Sequence, residues 1–189
     1  MNNILIRVFL LLLIVPSFAA EPEFKAKLTK FEIVDFEECI FIGKAVKVIP
    51  GSTTAGNIWE KCFEDGSFEI LEKQKGKILT EYTGLYHDFQ EDGSFMYNVG
   101  MFMKKGALVP KGFTAYKIPK GEMSISWVSG TRDEVYRDFI GLSNKAIAEK
   151  DYETTGFIGE VCTCERFLTG TDNITLDVYI GVKKINSEM

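Results

Sequence analysis

Apolar and polar residues alternate along several segments of the chain, and this alternation predicts β-strands. In the last such segment, every second residue from Ile174 to Val182 is apolar, whereas Thr175, Asp177 and Tyr179 point the other way. The first set is expected to face a core and the second to face water or a groove. Further strands are predicted at 31–48, with a bulge at Glu37–Glu38, and at 82–89, 95–103, 113–118, 122–128 and 157–167.

Two other segments have apolar residues at helical spacing. The first helix is predicted at 54–63, followed by a short helical turn through Leu71. The second helix begins at a capping box, in which Thr131 and Glu134 satisfy each other's backbone donors, and it extends to about Lys150. The side chains that this helix buries are predicted to be Val135, Phe139, Leu142 and Ala146.

The order strand, helix, strand, strand occurs twice, at about 31–105 and 112–184. Both repeats end in two strands joined by a polar turn that contains Gly. The second of these strands ends in Gly, apolar residues and a Lys-Lys pair. Two such units can bury their helices against one sheet. The sequence therefore predicts an α+β fold of duplicated β-α-β-β modules that form an antiparallel sheet with two helices packed on it.

The first residues have the composition of a secretory signal peptide rather than of a folded element. Arg7 supplies the positive charge, residues 8–15 are apolar, and Ser17 and Ala19 are the small residues required at a cleavage site. A transmembrane anchor is the alternative, but the apolar run is shorter than the roughly 20 residues that span a bilayer. We expect a signal peptide at 1–19, an extension at 20–30, a domain at 31–186, and a periplasmic or secreted protein.

Charge and cysteine content exclude some functions. The chain has 189 residues and a formal net charge of −5, which argues against nucleic acid as a partner. Cys162 and Cys164 lie two apart on a predicted strand, where their separation of about 6.6–6.8 Å is at the long end for a disulfide. We therefore expect no bridge between them. With a single histidine and no second Cys pair at metal-ligand spacing, no metal site is predicted.

Glu160 is the residue that most needs explanation, because it lies in the predicted strand at 157–167 among apolar residues and two glycines. A charge buried without a partner costs several kcal/mol. Three alternatives are open: a solvated position on a face or an edge, a structural ion pair, or the anionic anchor of a ligand pocket.

Six short segments together resemble a known family. They are GNIWE at 56–60, YTGLYHD at 82–88, VPKG at 109–112, IPKGE at 118–122, DYE at 151–153 and VYIGV at 178–182. In this order they resemble the gyrase-inhibitor-like (GyrI-like) domains, also called AraC-type effector-binding domains, over roughly 31–184. The resemblance implies duplicated modules of the SHS2 type that enclose a pocket for planar, often cationic, molecules.

The resemblance also implies which residues line that pocket. An acidic residue near the start of the penultimate strand corresponds to Glu160, with Glu165 as the second choice. The aromatic candidates are Tyr86, Tyr179, Trp59 and Trp127, since flat cations stack on such rings. For Trp59 and Trp127, ordinary core packing is the alternative.

We therefore expect an exported small-molecule-binding protein that sequesters or senses its ligand without a DNA-binding domain, a cofactor or a metal. One alternative is a hydrolase that uses Glu160 as a general base. His87 and Asp88 are not expected to form a catalytic dyad, because adjacent strand residues point to opposite faces. The other alternative is haem binding through His87, as in the SOUL-type proteins, which resemble this fold. The ligand and any protein partner stay open.

Overall fold

The computed structural model of the protein describes residues 24–52, 55–168 and 171–185, in which eight strands form one sheet. The predicted signal peptide at 1–19 lies outside the described residues. In chain order the elements are β1 (Lys27–Phe36), β2 (Cys39–Val48), α1 (Ile58–Glu64), α2 (Ser67–Glu72), β3 (Tyr82–His87), β4 (Phe95–Lys104), β5 (Thr114–Ile118), β6 (Gly121–Thr131), α3 (Arg132–Ala148), β7 (Tyr152–Cys162), α4 (Cys164–Phe167) and β8 (Asn173–Lys184).

The sheet confirms the predicted α+β class and the duplication. Its strand order is β1-β6-β8-β7-β3-β4-β2-β5, and every neighbouring pair is antiparallel. One module consists of β2, α1, α2, β3 and β4, and the other of β6, α3, β7 and β8. The modules meet at the centre of the sheet, where β3 pairs with β7. The described residues contain four helices: the two predicted ones, α1 and α3, then α2 at the position of the predicted helical turn through Leu71, and α4, which was not predicted.

The strand that precedes each module pairs with the other module. Thus β1 pairs with β6, and β5 pairs with β2. The prediction of one bulged strand at 31–48 is therefore wrong, because the chain leaves one module after Phe36 and enters the other at Cys39. The sheet also includes residues 27–30, which were predicted to belong to an N-terminal extension.

Helix α3 follows the prediction closely. The Thr131 hydroxyl accepts a hydrogen bond from the Glu134 backbone N–H, and the Glu134 carboxylate accepts one from the Thr131 N–H at 3.1 Å. Val135 and Phe139 pack in a core with the apolar residues of β8, among them Val178 and Ile180. The alternating apolar residues of β8 therefore face the core, as predicted, and the residues between them face the opposite side of the sheet.

Strand β7 is placed earlier than predicted, and this changes the position of Glu165. The sequence predicts a strand at 157–167, but β7 ends at Cys162 and α4 begins at Cys164. Glu165 is exposed on α4, so the two acidic candidates do not share one strand. The first helix is also shorter than predicted, since α1 begins at Ile58 rather than at residue 54.

The N-terminal end of the described chain is tied to α3 by one buried carboxylate. Asp138 accepts hydrogen bonds from the backbone N–H groups of Lys25, at 2.7 Å, and Ala26, at 2.9 Å. This contact holds the start of β1 beside the helix of the module with which β1 pairs. Within the described residues, no helix is both long enough and apolar enough to cross a bilayer.

Candidate ligand-binding site

Glu160 lies on β7 at the junction of the two modules. Its Cα partners are Gly84 on β3 and Val178 on β8. Directly paired residues share a face of the sheet, and Val178 belongs to the core that α3 covers. Glu160 therefore points to the helix-covered face, where its exposed fraction is 2%.

The Glu160 carboxyl is held by phenol hydroxyls. The Tyr97 Oη donates a hydrogen bond to Oε1, and the Tyr86 Oη donates one to Oε2 at 3.2 Å. The Trp59 Nε1–H in turn donates to the Tyr97 Oη at 2.7 Å. No ion pair to Glu160 is found among the described residues. A solvated position and a structural ion pair, two of the three alternatives for this residue, therefore do not describe it.

The environment of Glu160 shifts its ionisation. Burial raises the pKa of this carboxyl to about 7, even though the donor groups of Tyr97, Tyr86 and Trp59 lower the pKa. Burial, and then the negative charge of Glu160, raise the pKa of Tyr97 and of Tyr86, so both phenols stay protonated as donors. The site can therefore gain or lose one negative charge near neutral pH.

A cavity of about 340 Å³, which we call the aromatic cavity, adjoins the residues around this carboxyl, although Glu160 itself is not part of its lining. Trp59 and Cys162 connect the two, since Trp59 bonds to Tyr97 and Cys162 follows Glu160 by two residues on the same face of β7. Burial, and then the charge of Glu160, raise the pKa of Tyr136 in the opposite wall. The cavity is lined by Trp59, Phe63, Tyr82, Arg132, Tyr136, Cys162, Cys164, Phe167 and Leu168.

Arg132 brings a positive charge to the wall of the aromatic cavity. Its guanidinium lies over the Phe167 ring, with the central carbon 4.7 Å from the ring centroid. This is the geometry of a cation–π contact. The cavity therefore already accommodates one cation against an aromatic face, and that cation is not paired with Glu160.

A second cavity, of about 440 Å³, shares the walls formed by Tyr82, Cys162 and Cys164. We call it the acidic cavity, because Glu72, Glu81 and Glu165 line it. Glu165 thus faces a different space from Glu160.

The structure brings only some of the predicted aromatic residues to Glu160. Tyr86 and Trp59 belong to its hydrogen-bond network. Tyr179 does not, because its Cα partner is Gly159 and its ring lies near Phe102 on the opposite face of the sheet. Trp127 is paired with Asp177 on that same opposite face, where the Lys30 ammonium lies 4.2 Å from its ring centroid. The expectation that Tyr179 and Trp127 line the pocket with Glu160 is corrected accordingly.

Three residues of the site were missed from the sequence. Tyr97 could have been found, because it lies within four residues of the predicted hairpin turn on one side as Tyr86 does on the other, and the two are paired. Gly84 is required because a Cβ there would lie 2.3 Å from Glu160 Oε1. Its pairing with Glu160 depends on contact between the modules. The approach of Tyr136 depends on how α3 packs on the sheet of its own module, and no local pattern indicates either arrangement.

His87 does not belong to this site. Its Cα partner is Phe157, and its ring stacks on Tyr116 at 4.0 Å on the opposite face of the sheet from Glu160. The expectation that His87 and Asp88 stay apart is wrong, since Nδ1 and Oδ2 are 3.1 Å apart. Strand geometry ends at His87, and Asp88 has a left-handed φ of 52°. Burial lowers the pKa of His87. His87 lines neither cavity, and the described residues contain no cluster of three metal ligands.

Duplicated β-α-β-β modules, with an aromatic cavity beside a buried carboxyl at their junction, define a domain of the kind that binds small-molecule effectors. A family model described as the integron-associated effector binding protein Cass2 matches residues 32–182, and the chain belongs to this family. No curated protein is similar enough to the chain to count as a match.

Solved structures show the same fold at low sequence identity. SAV2435 bound to tetraphenylphosphonium has a TM-score of 0.63 at 13% identity, over 82% of this chain and 94% of that one. The C-terminal domain of EcmrR has a TM-score of 0.55 at 17% identity, over 82% and 98% of the two chains. The Vibrio cholerae integron cassette protein VCH_CASS2 has a TM-score of 0.52 at 15% identity, over 84% and 99%. At these identities the likeness establishes the fold alone.

Proposed function

We propose that the protein binds a hydrophobic organic cation in the aromatic cavity, with Glu160 as the counter-charge. One observation carries this proposal: a carboxyl with 2% of its surface exposed and no basic partner among the described residues. A protein retains such a group at a cost in stability. A ligand with a positive charge would pair with the Glu160 carboxylate and offset that cost on binding.

The chemistry of the cavity determines what kind of cation fits. Its walls include the rings of Trp59, Phe63, Tyr82, Tyr136 and Phe167, which favour a ligand with its own flat or aromatic surface. A delocalised cation is also easier to desolvate than a compact ammonium group. Binding would favour the ionised carboxylate and so lower the pKa of Glu160.

The relatives support this proposal without establishing it. The family is described as effector-binding, and SAV2435 was solved with tetraphenylphosphonium, a bulky aromatic cation. At 13% identity the ligand of SAV2435 does not carry over by similarity. The proposal for this chain therefore depends on Glu160 and the rings around it.

We further propose that the domain acts after export, as a periplasmic or secreted module that sequesters or senses its ligand. The support is the sequence at 1–19, which has the charge, apolar run and small residues of a secretory signal peptide.

Titration with tetraphenylphosphonium tests the binding proposal, and quenching of tryptophan fluorescence or calorimetry gives the affinity. Glu160→Gln keeps the shape and removes the charge, so affinity should fall by about 2 kcal/mol, the Coulomb energy of two unit charges roughly 8 Å apart at an effective dielectric constant of about 20. Glu165→Gln is the matched control, because Glu165 is exposed and lines the acidic cavity. Equal affinities for the wild type and Glu160→Gln would remove the anchor from the proposal.

A hydrolase is the second candidate, and the raised pKa of Glu160 is the observation in its favour. A carboxyl with a pKa of about 7 is suited to act as a general base at neutral pH. Turnover of ester or strained-ring substrates that disappears in Glu160→Gln would favour the enzyme. Binding without turnover across such a panel would favour the binding module.

A further inference from the structure

Cys162 and Cys164 lie where β7 ends and the chain turns. The Thr163 N–H donates to the Val161 carbonyl at 3.2 Å, which closes a tight turn around Cys162. Helix α4 then begins at Cys164. The regular-strand spacing, from which we expected no disulfide bridge between Cys162 and Cys164, therefore does not apply to the two thiols.

Both cysteines face the same space. Each lines the aromatic cavity, each also lines the acidic cavity, and neither is in a disulfide. Cys164 is exposed and Cys162 is half-buried. Cys39 and Cys62, by contrast, are buried in the core with exposed fractions of 0% and 1%. The protein thus presents one accessible pair of thiols, and the pair lies in the wall shared by the two cavities.

The number of ligands limits what this pair can hold. Zinc in a structural site takes four protein ligands, and the described residues contain no group of three His, Cys, Asp or Glu that could hold a metal ion. Trivalent arsenic that carries an aryl group needs only two further bonds, and thiols are the ligands that soft centres prefer. The rings of Trp59, Phe63, Tyr82 and Tyr136 surround the space that the aryl group would occupy.

We propose that Cys162 and Cys164 form a dithiol site that captures aryl-arsenic(III) compounds, with the aryl group in the aromatic cavity. This inference uses the same cavity as the proposed cation-binding function, but it does not depend on Glu160 or on a positive charge in the ligand. It assigns a second and covalent mode of binding to the domain.

The reaction balances without an oxidant. With phenylarsine oxide, the accessible Cys164 thiol attacks first, forming one As–S bond while its proton passes to the arsenic-bound oxygen. The Cys162 thiol then forms the second As–S bond, and its proton leaves with that oxygen as water. Burial, and then the charge of Glu160, raise the pKa of Cys162 to about 12, so this group reacts as a thiol that carries its proton. Arsenic stays trivalent throughout.

Intact-mass measurement of the folded chain with one equivalent of phenylarsine oxide tests the proposal. The expected product has one phenylarsenic bound with loss of two protons, and peptide mapping should locate it at residues 162–164. Because the second thiol acts at high effective concentration, Cys162→Ser and Cys164→Ser should each weaken retention on the order of 10²–10⁴-fold. Cys39→Ala is the control, since it removes a buried thiol on the other face of the sheet.

The outcomes separate this inference from the cation proposal. An adduct mapped to Cys39 or Cys62, no adduct on the wild type, or equal retention by the wild type and Cys164→Ser would each overturn the dithiol site. Peptide mapping of the wild-type adduct decides the matter even if a variant fails to fold. If tetraphenylphosphonium does not bind but the mapped adduct forms, the cation proposal fails and the dithiol site stands. If tetraphenylphosphonium binds and no adduct forms, the reverse is true.

Discussion

Gly84 lies directly across the β3–β7 pair from Glu160, and the absence of a side chain at Gly84 makes room for the Glu160 carboxyl. A Cβ on Gly84 would lie 2.3 Å from Glu160 Oε1 and 2.3 Å from the Tyr97 Oη. These are the two atoms that form the central hydrogen bond of the site. The glycine on one module thus sets where the acid of the other module can be.

Gly84→Ala is therefore expected to damage both stability and binding. Overpacking of this kind typically costs about 1–3 kcal/mol, and the displaced carboxyl should lose most of its contribution to cation affinity. Urea unfolding and tetraphenylphosphonium titration measure the two effects. Gly121→Ala is the control, because nothing lies within 4 Å of a Cβ added there. Equal behaviour of the two variants would contradict the crowding argument.

Glu160 should also make stability depend on pH in an unusual direction. Its folded-state pKa, about 7, exceeds the ordinary value of 4.5, so the folded protein binds the extra proton between these values. The stability associated with this proton is present below pH 4.5 and is lost as pH rises through 7, by up to about 3 kcal/mol.

Glu160→Gln removes that dependence. Relative to the variant, the wild type should lose unfolding free energy between pH 4.5 and 7, and at pH 8 the variant should be at least as stable. Chemical denaturation of both proteins over pH 4–8 measures the difference, in which the other titrating groups cancel. A difference that is constant with pH would show that the folded pKa of Glu160 is not raised.

Local patterns explain which parts of this fold could be predicted from sequence. The capping box at Thr131 and Glu134, the alternation in β8 and the hairpin between β3 and β4 are set by residues close together in the chain. Each was predicted. The exchange of β1 and β5 between the modules was not predicted. The apolar pattern at 31–48 is the same for one long strand in a single module as for two strands, β1 and β2, that pair with different modules.

The candidate site was only half predictable for a related reason. Glu160 stands out because a charge in an apolar strand is costly, and Tyr86 follows from the family resemblance. Tyr179 and Trp127 are aromatic residues on strands, as Tyr86 is, but strand register places their side chains on the face of the sheet opposite to Glu160. Register between strands distant in sequence is decided by packing over the whole sheet, so composition alone could not separate Tyr86 from Tyr179.

The signal peptide proposal has a direct test. Protein recovered from the exported fraction should begin near Ala20, because Ser17 and Ala19 provide the small residues that cleavage requires. Replacement of Ala19 by Leu should block processing and leave the larger precursor. N-terminal sequencing and intact mass distinguish these products. A cytoplasmic pool that retains Met1 in the wild type would argue against export.

Arg132 should weaken the binding of cations. Its guanidinium lines the same cavity that is proposed to hold the ligand, and like charges repel. Arg132→Gln should therefore raise the affinity for tetraphenylphosphonium by about 0.3–1 kcal/mol, the usual size for one partly solvated charge. Lys111→Gln makes the same change in net charge at an exposed loop position and serves as the control. If both variants gained equally, long-range charge rather than Arg132 in the cavity wall would be responsible.

The two phenols on Glu160 should contribute unequally to its ionisation. The hydrogen bond from Tyr97 lowers the pKa of Glu160 more than that from Tyr86 does. Tyr97→Phe also leaves the Trp59 Nε1–H without its acceptor, so it should cost about 1–3 kcal/mol of stability.

Since an ionised carboxylate is needed for cation binding, the affinity for tetraphenylphosphonium should rise with pH and level off above the pKa of Glu160. In Tyr97→Phe the midpoint of that rise should move to higher pH, and in Tyr86→Phe it should move in the same direction by less. Affinity measured from pH 5 to 9 gives both midpoints. Unshifted midpoints, or a larger shift in Tyr86→Phe, would mean that burial alone sets the charge of Glu160 and that the chain from Trp59 through Tyr97 only holds the side chains in place.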